Sequence, residues 1–205
     1  MLYLLVHFIS RILAIVFWRL RVFGRENIPE GGAVLASNHQ SYFDPVLIGI
    51  TLNRPVYFLA RKELFEANWL FGWLIRNVHA IPLERRVFDS SGLRQAIEVL
   101  QKGGLLVVFP EGTRTSNGEI SGIRKGVSLL TREANVPLVP TLIDGAFQAW
   151  PRQHKLPVRF RRISVSFTRP LRLDKGNIET IADAWEEMKE SRQMSVSDGA
   201  LSARR

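Results

Sequence analysis

The sequence predicts an α/β fold: a mixed central sheet covered by helices, with an N-terminal membrane-interfacial helical segment in front of it. Three observations predict this. Short runs rich in Val, Ile, Leu and Phe recur along the chain, stretches with helical periodicity separate them, and Met1 to Phe23 is almost wholly apolar. At 205 residues and 46% hydrophobic content the chain can bury one substantial core, so one globular domain is expected.

In chain order, the apolar start comes first. Leu2, Leu4, Leu5, Phe8, Ile12, Leu13, Ile15, Val16, Phe17 and Trp18 are interrupted only by His7, Ser10, Arg11, Arg19 and Arg21. On a helix, His7, Ser10, Arg11 and Arg21 share one side while Arg19 departs from it. The longest unbroken apolar run, Ile12 to Trp18, is far shorter than the ~18 residues expected of a spanning helix. A basic start and a small-residue cleavage site are both missing, so a secretory signal is not expected. The segment reads as a helix lying in the headgroup plane with its arginines reaching outward; the alternative is a buried structural helix.

Strands are predicted at Ala33–Ala36, Val56–Ala60, Ala80–Leu83, Leu105–Phe109, Leu138–Ile143 and Ile163–Phe167. Between them Asp44–Leu52, Leu64–Arg76, Ser91–Lys102 and Arg124–Ala134 read as helices by period and caps. The second of these, with Phe65, Trp69, Leu70, Phe71, Trp73 and Leu74, is apolar all round, as a core helix or an acyl-chain groove would be. The segment 191–205 has little to bury and is expected to be disordered. The organisation is thus 1–23 membrane-associating, 24–190 globular and 191–205 tail.

A net charge of +9 calls for an anionic partner. Arg152, Lys155, Arg159, Arg161, Arg162, Arg169 and Arg172 follow one another with no acidic residue among them. Such a run blocks edge pairing of strands, or attracts an anionic lipid surface at roughly 1 kcal/mol per charge. Zinc-finger, RNP-like and basic-zipper patterns are lacking, so nucleic acid is not the expected partner. Without cysteine there can be neither a disulfide framework, nor a Cys-based zinc site, nor a thiolate nucleophile.

Asn38-His39-Gln40-Ser41-Tyr42-Phe43-Asp44 offers an imidazole and a carboxylate at a spacing suited to activating a hydroxyl. Asp44-Pro45 also reads as a helix start, with the Asp oxygen capping free N–H groups and Ser41 to Asp44 fitting a capping box. The two readings are compatible, because a carboxylate in a first turn can accept Nδ1–H from an imidazole just before it. Nε2 is then left to take a proton. Downstream, Phe109-Pro110-Glu111-Gly112-Thr113-Arg114 follows an apolar strand, and ligands of α/β proteins commonly sit beyond such strand ends. Gly112 lets backbone approach closely, and its N–H is a candidate oxyanion donor.

These two segments in this order resemble the glycerophospholipid acyltransferase family, which includes the 1-acylglycerol-3-phosphate acyltransferases. Ala80-Ile81-Pro82-Leu83-Glu84-Arg85 resembles the family's second block and Val136-Pro137-Leu138-Val139-Pro140 its fourth, so the similarity runs from about Val22 to Leu171. The second block commonly carries glycine where this chain has His79. The resemblance implies that His39 is the base and Asp44 its orienter, that Glu111 shapes the acceptor site, and that Arg85 and Arg114 bind substrate phosphate. Ala60-Arg61-Lys62-Glu63-Leu64 resembles a basic segment that adds Lys62 to the phosphate set. Arg124-Lys125-Gly126 resembles a family helix start, with a structural role and a phosphate contact both open.

What the resemblance implies is transfer of a fatty acyl group from acyl-CoA or acyl carrier protein to the free hydroxyl of 1-acylglycerol 3-phosphate, in phospholipid biosynthesis. No metal or cofactor is expected beyond the donor substrate, and the expected place is the cytoplasmic face of a cell membrane. No Gly-x-Ser-x-Gly elbow occurs, which favours direct attack by the acceptor hydroxyl over an acyl-enzyme. The alternatives are another lysolipid as acceptor, or a non-catalytic lipid-binding protein of the same fold.

Overall fold

The computed structural model describes residues 2–66, 68–77, 79–83, 90–120, 122–154, 156–173 and 178–202. Its centre is β2 (Ala33–Ser37), whose five residues are all buried. Successive side chains of a strand point to opposite faces, and β2 uses both. Ala33 and Leu35 enter one apolar cluster, while Val34 and Ala36 enter the other. A strand covered on both sides has no polar face to show, which is why it reads as a continuous apolar run.

On one side β2 pairs in parallel with β5 (Leu105–Val108), which pairs with β3 (Val56–Arg61), which pairs with β4 (Ala80–Leu83). On the other side β2 pairs in parallel with β6 (Leu138–Asp144), and β6 runs antiparallel to β7 (Ser164–Phe167). The last neighbour is β1 (Arg21–Phe23), parallel to β7. The order β1-β7-β6-β2-β5-β3-β4 makes the mixed sheet that the sequence predicts.

One cluster joins the sheet to α1 (Leu2–Trp18), α2 (Asp44–Thr51) and α7 (Ala146–Ala149) through Trp18, Leu47, Ile48 and Ala146. The opposite cluster takes Ala96 and Leu100 of α5 (Ser90–Gln101), Val127 and Leu130 of α6 (Gly126–Ala134), and Ile181, Trp185 and Met188 of α8 (Glu179–Ser202). A fully buried side chain of this kind stabilises the fold by about 1.5–3 kcal/mol relative to exposure.

Four expectations are revised. The apolar start is not one helix to Phe23: α1 ends at Trp18, Arg19 takes φ 45°, and β1 joins the sheet. The helix expected over Leu64–Arg76 is two, α3 (Lys62–Glu66) and α4 (Trp69–Asn77). The Asn68 carbonyl accepts the Gly72 N–H at 2.7 Å and starts a fresh turn there, while Gly72 faces the Phe65 carbonyl so closely that a Cβ would lie 2.3 Å from its oxygen. The segment from 191 that composition assigns to a disordered tail is helical to Ser202, because it continues α8, whose upstream half is anchored by Ile181 and Trp185. Asp44, finally, does not cap α2: Phe43 holds the cap position and no side chain caps the helix.

Candidate active site

Because β2, β5, β3 and β4 are mutually parallel, their carboxyl ends share one edge of the sheet, where His39, Glu111 and Lys62 follow β2, β5 and β3. Asn38, fully buried, continues the ladder after β2 ends. Its Oδ1 accepts the Ile143 N–H at 2.7 Å and its Nδ2 donates to the Ile143 carbonyl at 2.9 Å. The residue before the histidine is thereby fixed to β6.

His39 is held at four points. Its N–H donates to Glu111 Oε1 at 2.7 Å, its carbonyl accepts the Thr115 N–H at 2.9 Å, and its ring stacks on Phe109 with centroids 4.0 Å apart. The fourth is Nδ1, 2.8 Å from Asp44 Oδ2. The same Asp44 oxygen accepts the N–H groups of Gln40 and Ser41 at 2.7 and 2.8 Å. This is why Asp44 leaves α2 uncapped: it is turned back onto the histidine turn, where three donors converge on one buried oxygen. Only half of the capping box forms: Asp44 Oδ2 accepts the Ser41 N–H, but the Asp44 N–H donates to the Ser41 carbonyl rather than to Ser41 Oγ, which donates to the Trp150 carbonyl.

An imidazole whose Nδ1–H donates to a carboxylate presents the Nε2 lone pair. Among the described residues nothing bonds His39 Nε2, and the side chain is 19% exposed. The pair is thus arranged to accept a proton from a group arriving at this edge of the sheet.

Facing it is the turn after β5. Gly112 has φ 72°, a left-handed conformation that glycine adopts without a Cβ penalty, and a Cβ there would lie 2.7 Å from the Arg124 guanidinium carbon. Its N–H donates to the Phe109 carbonyl at 2.9 Å. That bond closes the turn and uses up the donor that the sequence offers to an oxyanion, so Gly112 serves by conformation and by its lack of a side chain. Glu111, almost fully buried, serves by pinning the histidine backbone.

Four arginines crowd this turn. Arg61 Nη2 donates to the Gly112 carbonyl at 3.2 Å, Arg124 packs on Gly112, and Arg152 Nη1 reaches Thr113 Oγ1 and the Arg114 carbonyl, both at 3.4 Å. The fourth, Arg114, lies over the Tyr42 ring with Cζ 3.3 Å from its centroid. Among the described residues none of the four forms an ion pair. Arg114 Nη1 is shielded from solvent and has no hydrogen-bond partner among the described residues. Guanidinium groups left unneutralised beside a proton acceptor are suited to an anionic substrate, and bidentate phosphate binding is their common use.

A sequence profile of the acyltransferase family matches residues 19–144, more than half of the chain, and that stretch carries the histidine turn and the glycine turn together. The chain belongs to the acyltransferase family. It is 31% identical over 128 residues to the 1-acyl-sn-glycerol-3-phosphate acyltransferase of Bacillus subtilis, covering 62% of this chain and 63% of that protein. To the enzyme of the same name from Streptococcus pneumoniae it is 30% identical over 158 residues, covering 73% of this chain and 56% of the relative. The chain thus spans less than two thirds of the length of these curated relatives. Among solved structures, the 1-acyl-sn-glycerophosphate acyltransferase PlsC from Thermotoga maritima aligns with a TM-score of 0.78 at 25% identity, covering 93% of this chain and 79% of that one.

In this family member the residues singled out by sequence do not all gather equally. His39, Asp44, Glu111, Gly112 and Arg114 form one connected group. Lys62 is exposed at the start of α3 on the same edge, and Arg85 lies outside the described residues, two positions past the end of β4. His79 is explained by its backbone: φ is 62°, the conformation for which the family's glycine is suited. Sequence reasoning missed Asn38, Tyr42, Phe109, Thr115, Arg61 and Arg152 as parts of the site. For Asn38 a signal existed, a polar residue directly after a buried strand and before the histidine. For Arg152, 38 residues from the carbonyl it contacts, there was none.

Proposed function

We propose that this chain transfers a fatty acyl group from a thioester, on coenzyme A or acyl carrier protein, to the free hydroxyl of 1-acylglycerol 3-phosphate. The observation that carries the reading is the His39–Asp44 pair at 2.8 Å, joined through Glu111 and Thr115 to a turn ringed by arginines that form no ion pair among the described residues. The relatives named for this reaction support the choice of acceptor. The acceptor oxygen attacks the thioester carbonyl carbon while Nε2 of His39 takes its proton. The tetrahedral intermediate then expels the thiolate, and the imidazolium returns the proton to sulfur. Asp44 fixes the ring and balances the imidazolium charge, and a positioned base of this kind contributes about 10² to 10⁴ in rate. Arg114, together with Arg85 and Lys62, holds the phosphate so that the hydroxyl stays beside the base.

The same reading places the chain on a membrane surface, at the cytoplasmic face where thioester donors are found. No helix among the described residues is long and apolar enough to cross a membrane. α1 nevertheless exposes Phe8, Ile9, Ile12, Ile15 and Val16, and Phe17 and Trp18 pack on Phe160 at 5.2 and 5.6 Å. Leu156 and Phe160 are both at least 70% exposed and alternate with Arg159, Arg161 and Arg162, so apolar and cationic groups share one surface beside the site.

Mass spectrometry of lipids formed from a panel of lysolipids with both donors tests the proposal. The unmodified chain is expected to make phosphatidic acid, and His39→Ala to lose nearly all of that activity while keeping its circular dichroism spectrum and melting transition. A folded, fully active His39→Ala protein removes the mechanism.

A further inference from the structure

We infer that Tyr42 is a positioning residue that sets the Arg114 guanidinium for the acceptor's anionic group, and so determines how tightly a phosphate-bearing acceptor is held. The inference rests on the acyltransferase reading above and adds a residue to it. Tyr42 lies inside the turn between His39 and Asp44, yet its side chain is 51% exposed, so it does not fill the core. One face of its ring carries the Arg114 guanidinium at 3.3 Å. The ring is itself braced by Trp150, 5.7 Å away, whose carbonyl accepts from Ser41 Oγ and whose Nε1 donates to the His154 carbonyl.

A guanidinium lying flat on an aromatic face keeps its in-plane N–H edge free for oxygen acceptors, whereas a carboxylate partner would occupy that edge. Arg114 Cζ lies 3.3 Å from the Tyr42 ring centroid, and its Nη1 has no hydrogen-bond partner among the described residues. Stacking also confines a long side chain that would otherwise sample many rotamers. Because the ring belongs to the turn that carries the base, the cation and Nε2 are registered to one another by three residues of backbone, Tyr42 to His39. A hydroxyl and a phosphate on one small acceptor require that registry.

The test uses the full chain, 1-oleoylglycerol 3-phosphate, and whichever of palmitoyl-CoA or palmitoyl carrier protein the unmodified chain accepts. Tyr42→Leu is expected to raise KM for this acceptor roughly 3- to 30-fold, the range of a cation–π contact, with kcat changed by less than about twofold. Tyr42→Phe, which keeps the ring, is expected to restore the low KM. Arg114→Gln is expected to raise KM by itself and to abolish any further effect of Tyr42→Leu, since the two act as a unit. If Tyr42→Leu shows no melting transition, Tyr42→Gln replaces it in the same cycle. An unchanged KM, a Phe variant as impaired as the Leu variant, or effects that multiply in the double variant overturns the role of Tyr42 and leaves the acyltransferase reading standing. Failure of the unmodified chain to transfer acyl groups overturns both.

Discussion

His79 shows what a single backbone angle implies. At φ 62° an L side chain is strained by about 1 kcal/mol, and here the ring is also partly buried beside Tyr57, 5.1 Å away. Burial lowers its pKa from the ordinary histidine value, because the charged ring is poorly solvated. The folded state therefore favours the neutral ring. Its contribution to stability is complete above the unfolded pKa of about 6.5 and is lost as pH falls below that toward the lower folded value. Chemical denaturation of His79→Gly at several pH values is expected to show a shallower loss of stability below about pH 6.5. At neutral pH the gain of up to about 1 kcal/mol from relieved strain is reduced by the lost Tyr57 contact. At this scale the sequence was legible where partners are near in the chain: His39 and Asp44, five apart, form the expected pair. It was not legible where they are distant, as with Glu111 on the His39 amide 72 residues away or Asn38 on Ile143 105 away.

Among the elements, α8 teaches the most. Ile181, Trp185 and Met188 stand at helical spacing, but Glu, Lys, Ser and Asp surround them and dilute the pattern that marks a core helix. The structure nonetheless buries Trp185 completely, with Nε1 donating to the Ala36 carbonyl of β2 at 3.2 Å. Trp185→Ala is expected to cost about 3–5 kcal/mol and to lower Tm by on the order of 10 °C in a thermal melt. A shift of a degree or two would mean that α8 is dispensable to the core. The predicted helices α2, α5 and α6 appear nearly as expected, since each carries apolar residues at helical spacing. The break between α3 and α4 was hidden because apolar residues continue through it, and periodicity does not reveal a change of axis.

For the whole molecule, the parallel strands gather the candidate site at one edge of the sheet, and α1 packs on the sheet's flank. Strands running in parallel bring His39 and Glu111 to one edge although they are far apart in sequence, which is the usual place for ligands in such sheets. α1 and the segment carrying Phe160 meet on the flank of the same sheet, and Arg152 extends that segment to the glycine turn. Phe160→Asp is expected to reduce co-sedimentation with vesicles of mixed anionic and neutral phospholipid by several-fold while leaving the melting transition in place. Unchanged sedimentation at every salt concentration would remove this surface from the membrane proposal.

The pairing of β1 with β7 has one more consequence. Trp18 donates to the Arg159 carbonyl across 141 residues, and Arg21 lies in register with Ser164. During translation the greasy first helix is therefore made long before the strand that anchors it, and such distant closures are slow. Until residue 160 and its neighbours emerge from the ribosome, Phe17 and Trp18 lack the cover of Phe160, so a nascent chain arrested before that point is expected to cling to vesicles more strongly than the finished protein.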